Sequence, residues 1–383
     1  MATKRKEIAV GMDGCVFKPA FSCMEGHQYS SEPYISKLMI QGRPKVDAEI
    51  ANYQRLGLKD LDPEMQYFIS QPELCNLSPD DIESFRLSKE NCKDVALPYT
   101  ATNYLDSGTD LFMLIAGVYD RYERGEHVSL NEINNYLFAF NNVMQGILLL
   151  NDRNILHLDI KPDNIVMNTA DPNADFKLID FAMSRNVVEN PPTSTFGTPT
   201  YIPPEMYMFA TPRYTIKDRY VDFFTKVAPT FPMRIPKENI PPLAYYEAMP
   251  AEEKYGKADV WALGMTLLDM YTMILAGNYP PERLQIYGEL KTQMIDEMLN
   301  LDVERRLNIQ EAAEIYNDFV NALMQEHQEE ATGGGKRKRI KRTKRTKRTK
   351  RSGHKRNGHK RSGHKRSGSI RNKTKRTKRT RKN

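Results

Sequence analysis

The chain has 383 residues and a net charge of +7, and this charge is divided unevenly along it. Residues 336–383 hold 26 of the 56 Lys and Arg side chains and no acidic one, so residues 1–335 carry 30 basic against 49 acidic side chains. The composition therefore predicts an acidic folded body with a basic tail, and the lack of an apolar run of about 18 residues argues against a transmembrane helix.

The cysteines indicate the compartment in which the chain works. Four are present, and no two of them have CxxC spacing, which argues against a zinc site or a redox dithiol. Residues 1–6 are polar and show no apolar signal segment. We therefore expect a reducing, intracellular compartment and free thiols.

The first hundred residues alternate between strand and helix patterns. Residues 7–20 predict a strand, a glycine turn and a second strand, while residues 33–39 predict a further strand. Helical spacing follows over 46–53. Beyond it, 65–70 is typical of a strand, and the polar segment 76–95 indicates an insertion.

A connection between two halves of the fold is expected within 97–108. The sequence offers two alternative segments that could anchor this connection, residues 96–99 and residues 102–105. From residue 111 onwards the apolar spacing becomes helical, and the longest helix is predicted over 130–151.

One short loop after this helix carries a carboxylate, a lysine and an amide, namely Asp159, Lys161 and Asn164. A second carboxylate, Asp180, follows sixteen residues after Asn164 and begins the sequence Asp-Phe-Ala. Phosphoryl transfer spreads negative charge over oxygens, so it needs positioned acids and cations, and magnesium prefers oxygen ligands. This spacing predicts transfer of a phosphoryl group from a magnesium nucleotide to a hydroxyl.

The pattern His-x-Asp-x-Lys-x-x-Asn with a following Asp-Phe resembles the eukaryotic-type serine/threonine protein kinases, and the resemblance covers about 7–325. It implies an α+β fold with two lobes. The small, mostly-β lobe with one helix would be 1–105, the larger, mostly helical lobe 106–330, and a disordered basic tail 331–383.

Other features are similar, more narrowly, to kinases of large nucleocytoplasmic DNA viruses. These features are the glycine-rich turn, the enlarged loop after Val16, the Tyr-Ile-Ser-Lys strand ending at Lys37, and the Lys-Arg-Thr repeats of the tail. The similarity implies work in the cytoplasm or nucleus of an infected cell, and carriage in virus particles.

The resemblance assigns catalytic roles to the loop residues. Asp159 would orient the acceptor hydroxyl and accept its proton, and Lys161 would contact the transferred phosphate. Asn164 and Asp180 would hold Mg²⁺, or Mn²⁺ in its place.

A further set would bind ATP, and it comprises Gly11, Gly14, Val16, Lys37, Glu49 and, at the ribose, Asp110. Lys37 would contact the α- and β-phosphates although it lies 21 residues after Val16, because Lys18 is too near Val16 to lie on the next strand. Glu49 would pair with Lys37, and Asp47, which lies on a different helical face, is the competing partner.

Residues 183–205 would form the activation segment, in which Ser194 and Thr195 are candidate phosphorylation sites. Thr198 would bond to both Asp159 and Lys161 and would help to select serine or threonine acceptors.

Three more residues would have structural roles in the large lobe. Glu205 would pair with Arg306, and Asp259 would hold the backbone of the catalytic loop. The long spacing between Glu205 and Asp259 implies an insertion over about 206–252, which is expected to be packed or to bind a partner.

The chain departs from the family pattern at three positions. Ala9 and Ala182 replace glycines, and Leu158 replaces the arginine that normally receives an activation-segment phosphate. No departure removes a charged group from the phosphate site, so we favour an active enzyme over an inactive pseudokinase that serves as a basic-tailed nucleic-acid-binding or packaging protein. The loss at Leu158 predicts activity without that phosphate.

The tail, residues 336–383, has almost no apolar side chain and is expected to be disordered. Its high density of Lys and Arg is typical of segments that bind nucleic acid independently of base sequence, and also of nuclear-localisation signals. It also contains ten Ser and Thr residues, most of them beside Lys or Arg. Because Asp163 lies where some kinases of this family attract basic substrates, the tail is also a candidate autophosphorylation substrate.

Overall fold

The structure is a computed structural model, and it describes residues 6–10, 14–24, 34–39, 42–69, 72–82, 100–171, 173–195, 197–209, 211, 213–231 and 235–331. All of these belong to one compact unit, Met1–Gly335. Three features that the sequence singles out lie outside the described residues, namely Gly11, the segment 96–99 and the basic tail.

A five-stranded antiparallel sheet forms most of the N-terminal region, with strand order β1-β2-β3-β5-β4. Its strands are β1 (Lys6–Val10), β2 (Gly14–Lys18), β3 (Tyr34–Met39), β4 (Glu73–Asn76) and β5 (Thr100–Leu105). Two helices follow β3 in the chain, α1 (Arg43–Leu56) and α2 (Leu58–Leu61).

Helix α1 has clear start and stop signals in the sequence. Pro44 lies in its first turn, where a missing N–H breaks no helical hydrogen bond. Gly57 ends the helix with a φ of +63°, a left-handed conformation that favours glycine. The helix expected over 46–53 is therefore present, whereas the strand expected over 65–70 is reduced to an isolated bridge at Phe68.

The chain after β2 crosses the sheet and pairs with its far edge. Met24 donates its N–H to the carbonyl oxygen of Asn76 at 2.9 Å, and Ser78 donates to the carbonyl of Ser22 at 3.1 Å. The enlarged loop after Val16 thus forms an isolated antiparallel bridge, between Cys23 and Leu77, at the end of β4.

A disulfide between Cys23 and Cys75 attaches this crossing segment to β4. Cys15 is also disulfide-bonded. The expectation of free thiols is therefore wrong, because the fold brings cysteines that are distant in sequence together on one face of the sheet. This is the face of Leu38 and not of Lys37, since successive strand residues point to opposite faces.

The C-terminal region is mainly helical. Its helices are α3 (Leu111–Glu123), α4 (Leu130–Asn151), α5 (Pro204–Tyr207), α6 (Ile216–Asp222), α7 (Leu243–Ala248), α8 (Ala251–Gly256), α9 (Ala258–Ala276), α10 (Gln285–Leu290), α11 (Asp296–Met298) and α12 (Ile309–Ala331). Short strands form two small sheets, one with order β6 (Thr109–Asp110), β8 (Ile165–Met167) and β9 (Lys177–Leu178), and one pairing β7 (Ile155–Leu156) with β10 (Arg185–Asn186). The α+β architecture with a β-rich N-terminal and a helical C-terminal region is as expected.

The insertion between α5 and α9 is packed against the helical region. Phe223 and Tyr246 are fully buried within it. The hydroxyl of Tyr245 donates to Asp302 at 3.3 Å and accepts the N–H of Val303 at 3.0 Å. The insertion therefore supports the loop that contains Arg306.

One stretch of the described residues, Ala251–Ala276, is long and apolar enough to cross a membrane, and 78% of its most apolar window is buried inside the protein. This burial is typical of a central core helix, so the stretch is weak evidence for a membrane span.

Candidate active site

The loop between β7 and β8 brings a carboxylate, a lysine and an amide together. Asp159 Oδ1 accepts hydrogen bonds from both the N–H and the hydroxyl of Thr198, each at 2.9 Å. Lys161 Nζ lies 3.1 Å from Asp159 Oδ2 and donates to Thr198 Oγ1 at 2.9 Å. Asn164 donates to the backbone oxygen of Asp159 at 2.8 Å and to its Oδ2 at 3.0 Å. The Asp159 carboxylate is thus oriented from three sides.

A buried carboxylate holds the backbone just before this loop. Asp259, at the start of α9, accepts the N–H of His157 at 2.7 Å and that of Leu158 at 2.9 Å. Ser184 donates its hydroxyl to the carbonyl of His157 at 3.1 Å. Leu158 has a φ of +65°, which is unusual for a residue with a Cβ, so the contacts from Asp259 hold the loop in a strained conformation.

A second charged group lies on the wall formed by β3 and α1. Lys37 Nζ lies 3.4 Å from Glu49 Oε1 and 3.4 Å from Asp180 Oδ2. The competing acid, Asp47, pairs instead with Arg43 at 2.6 Å. The structure therefore forms the Lys37–Glu49 pair and joins it to the Asp-Phe-Ala segment.

Asn164 and Asp180 offer hard oxygen atoms that suit a magnesium ion. Since both amide hydrogens of Asn164 point at Asp159, its amide oxygen remains to bind a metal. Burial raises the pKa of Asp180, but the positive charge of Lys37 and smaller contributions such as the hydrogen bond from the Ala182 N–H together hold the pKa below its usual value. The residues therefore fit the ion, which would neutralise phosphate charge when bound.

The glycine-rich turn is described only in part. Gly14 lies where a Cβ would come within 2.2 Å of the carbonyl oxygen of Leu38, so the pairing of β2 with β3 itself requires glycine here. Val16 follows on β2, opposite Lys37 on β3. Contact of this turn with phosphates remains a prediction.

Residues 102–105, one of the two predicted anchors of the connection, lie within β5, and residues 106–108 link β5 to β6. Asp110 then caps α3, because its Oδ1 accepts the N–H of Met113 at 2.7 Å. A contact of Asp110 with ribose stays a prediction, and one of its oxygens already has a structural partner.

The segment after Asp180 is fastened at its C-terminal end. Thr195 donates its hydroxyl to the carbonyl oxygen of Met206 at 3.2 Å, so this candidate phosphorylation site has a structural hydrogen bond. Ser194, beside it, is only partly exposed.

The Glu205–Arg306 ion pair is bidentate and wholly buried. The Arg306 guanidinium donates from Nη1 to Glu205 Oε1 and from Nη2 to Oε2, the second at 3.0 Å. Its Nε donates to the carbonyl of Asn300 at 3.0 Å, and the Trp261 ring centroid lies 4.9 Å from the guanidinium carbon. Every side of this cation has a partner.

Part of this arrangement matches a known family. Residues 99–225 match the protein kinase domain family. This match covers 127 of the 383 residues, about a third of the chain. The match begins just before β5 and includes both the catalytic loop and the activation segment.

Similar proteins include a serine/threonine-protein kinase 17A from Oryctolagus cuniculus, 35% identical over 18% of this chain and 17% of that protein. A probable serine/threonine-protein kinase fhkA from Dictyostelium discoideum is 24% identical over 48% of this chain and 32% of that protein. Protein kinase wis1 from Schizosaccharomyces pombe is 29% identical over 37% of this chain and 17% of that protein. The chain thus matches about a sixth to a third of the length of these relatives, all of which are named as protein kinases.

Several residues that the sequence did not indicate attach α1 to this candidate site. Asn52 donates to the carbonyl of Phe181 at 2.7 Å, and Phe181 donates its N–H to the Tyr53 hydroxyl at 3.2 Å. Tyr104, on β5, donates its hydroxyl to Glu49. Helical spacing from Glu49 could have indicated Tyr53, but no local pattern indicates Tyr104.

Removal of phosphate from the activation segment is expected to leave the rate of phosphoryl transfer, the activity predicted from the sequence, unchanged within about twofold. Leu158 is only 6% exposed and has no charge with which to bind a phosphate. The segment is instead held by hydrogen bonds such as that of Thr195. Turnover measured before and after phosphatase treatment checks this, with a Ser194→Ala variant as control, and a collapse to near zero would contradict it.

Proposed function

We propose that this protein is an ATP-dependent serine/threonine protein kinase that transfers the γ-phosphate to protein hydroxyls. Two observations support this proposal. Thr198, Lys161 and Asn164 orient the Asp159 carboxylate, and Lys37 bridges Glu49 and Asp180.

Each group has a definite task in this reaction. Asp159 orients the acceptor hydroxyl and accepts its proton, while Lys161 neutralises charge on the phosphate in transit. Lys37 binds the α- and β-phosphates from the opposite wall. Asn164 and Asp180 would hold the magnesium ion, which would neutralise charge on the phosphates.

A library of Ser-, Thr- and Tyr-containing peptides with labelled ATP and Mg²⁺ or Mn²⁺ tests this function. Transfer to Ser and Thr peptides is expected, and transfer to Tyr peptides is not. Failure of the purified chain to label any peptide with either ion would contradict the proposal.

We further propose that the preferred substrates are basic peptides. Asp163 is exposed directly after the catalytic Lys161 and Pro162. Tyr201, in the activation segment, donates its hydroxyl to Asp269 at 2.8 Å. Burial raises the pKa of Tyr201, and the negative charges of Asp269 and Asp163 raise it further, so the two acids lie near the same phenol. Together they offer negative charge beside the acceptor position.

The chain's own tail has the composition of such a substrate. Its Ser and Thr residues are surrounded by Lys and Arg in residues 336–383. We propose that the tail is an autophosphorylation substrate, and that each added phosphate weakens its attraction for polyanions. For the unmodified tail, nucleic-acid binding and nuclear targeting are the two alternative roles.

The proposed location is intracellular, within the cytoplasm or nucleus of a host cell or in virus particles if the resemblance to viral kinases holds. Because the cysteines form disulfides, the expectation of free thiols no longer supports a reducing compartment. Fractionation of the native source tests the proposed location directly.

A peptide with the sequence of residues 341–350 is expected to be a better substrate than one with acidic residues around the same threonine. Asp269→Asn should raise the KM for the basic peptide about tenfold, because a charge-assisted contact is lost, whereas Asp120→Asn on the exposed side of α3 should not. Mass spectrometry of the full chain after incubation with ATP should find phosphate in the tail. An unmodified tail would end the autophosphorylation proposal.

The same preference should depend on pH. Burial raises the pKa of Asp269 to about 6, although the hydrogen bond from Tyr201 opposes this shift. Because the acid is charged only above its pKa, the KM for the basic peptide should rise as the pH falls from about 7.5 to 5.5. The Asp269→Asn variant should lack this part of the dependence.

A further inference from the structure

Tyr104 lies at the end of β5, immediately before the link to the helical region. Its hydroxyl donates to Glu49 Oε1, the same oxygen that Lys37 approaches. In the sheet, Lys37 on β3 is the register partner of Thr102 on β5. The lysine and the phenol therefore reach Glu49 from neighbouring strands.

Glu49 depends on such partners because it is only 3% exposed. Its distance to Lys37 Nζ is 3.4 Å, long for a charged hydrogen bond, and the lysine is shared with Asp180 at the same distance. Burial raises the pKa of Glu49, while Lys37 and the Tyr104 hydroxyl both lower it. The phenol is thus the nearer of two groups that stabilise the carboxylate.

The phenols beside Glu49 keep their protons. Burial raises the pKa of Tyr104 and of Tyr53 well above the usual value, so each hydroxyl stays neutral and Tyr104 remains a donor at any physiological pH. A hydrogen bond to a charged acceptor in such surroundings is a strong one.

Helix α1 is consequently fixed at two places. Asn52 donates to the carbonyl oxygens of Phe181 and Ser184, at 2.7 and 3.2 Å. One turn earlier in the helix, Glu49 is connected to β5 by Tyr104. Ser184 is near the start of the activation segment 183–205, and neither attachment uses a residue of 187–195, which includes the candidate phosphorylation sites Ser194 and Thr195.

We infer that Tyr104 is a positioning residue whose hydroxyl fixes Glu49, so that Lys37 stays aimed at the nucleotide phosphates without a phosphate on the activation segment. The inference rests on the proposed kinase function. It assigns the hydroxyl, and not only the ring, a role in binding ATP.

Tyr104→Phe separates these roles because it keeps the ring and removes only the hydroxyl. We expect the Kd for magnesium-ATP to rise about tenfold and kcat/KM for ATP to fall by a similar factor, while the KM for the peptide stays within twofold. Tyr119→Phe is the matched control, since it removes a phenol that bonds to Thr272 at 3.3 Å, away from Lys37.

A double-mutant cycle tests whether Tyr104 acts through Glu49. In a Glu49→Gln background, Tyr104→Phe should change the Kd for magnesium-ATP less than twofold. An equal effect in both backgrounds, or a Tyr104→Phe protein with unchanged Kd and kcat/KM, would overturn the inference.

A different experimental result would refute the proposed kinase function. A wild-type chain that binds magnesium-ATP but transfers nothing would refute the kinase proposal, while the Kd comparison would still decide the role of Tyr104. If Tyr104→Phe lowered the melting temperature and changed the peptide KM equally, the residue would be structural only and the inference would fail.

Discussion

Asp159→Asn is expected to lower kcat about 10²–10⁴-fold, the usual contribution of a general base. The substitution preserves size, and Thr198 can still donate to the remaining oxygen, so the loop should keep its shape. What is lost is the charge that accepts the proton and that attracts Lys161. Binding of magnesium-ATP should be nearly unchanged.

Steady-state transfer to a Ser/Thr peptide measures this effect, and Asp152→Asn, an exposed acid just before the loop, is the control. The same variant separates the enzyme from a basic-tailed binding protein on an inactive kinase fold. Nucleic-acid binding by the tail should survive Asp159→Asn with its salt dependence intact. Full transfer activity in the variant would contradict the assignment of Asp159.

Arg306→Ala is expected to lower the free energy of unfolding by about 3–5 kcal/mol. The substitution leaves Glu205 charged and buried, with both oxygens deprived of their donors. It also removes the cation that packs on Trp261. Such a loss is a large fraction of the stability of an ordinary domain.

Chemical denaturation followed by circular dichroism measures this difference. Arg305→Ala is the control, because this neighbouring arginine is exposed. The double variant Glu205→Leu with Arg306→Met should recover part of the loss, since an apolar pair leaves no buried charge. A loss below about 1 kcal/mol for Arg306→Ala would show that water reaches Glu205, against its complete burial here.

The sequence predicted correctly those features that depend on residues close together in the chain. Asp159, Lys161 and Asn164 share one loop, so their spacing alone brings them together. Helix α4 matches the predicted span because its apolar residues repeat at helical spacing. The roles of these residues remain predictions, although the geometry unites them.

Features that depend on the folded sheet could not be predicted. Cys23 and Cys75 are 52 residues apart in sequence, and only the crossing of the chain over the sheet makes them neighbours. The Tyr104–Glu49 bond likewise depends on how α1 packs against β5, which are distant in sequence. Neither this packing nor the crossing leaves a local signal, because each is decided by contacts between distant segments.

The isolated bridge beside the end of β4 has a consequence for contacts with other proteins. A sheet border with free N–H and C=O groups can pair with an extended peptide from another molecule. Here the backbone of Met24 and Ser22 already pairs with Asn76 and Ser78, and the Cys23–Cys75 disulfide keeps this segment in place. A peptide that binds by strand addition is therefore excluded at Asn76 and Ser78.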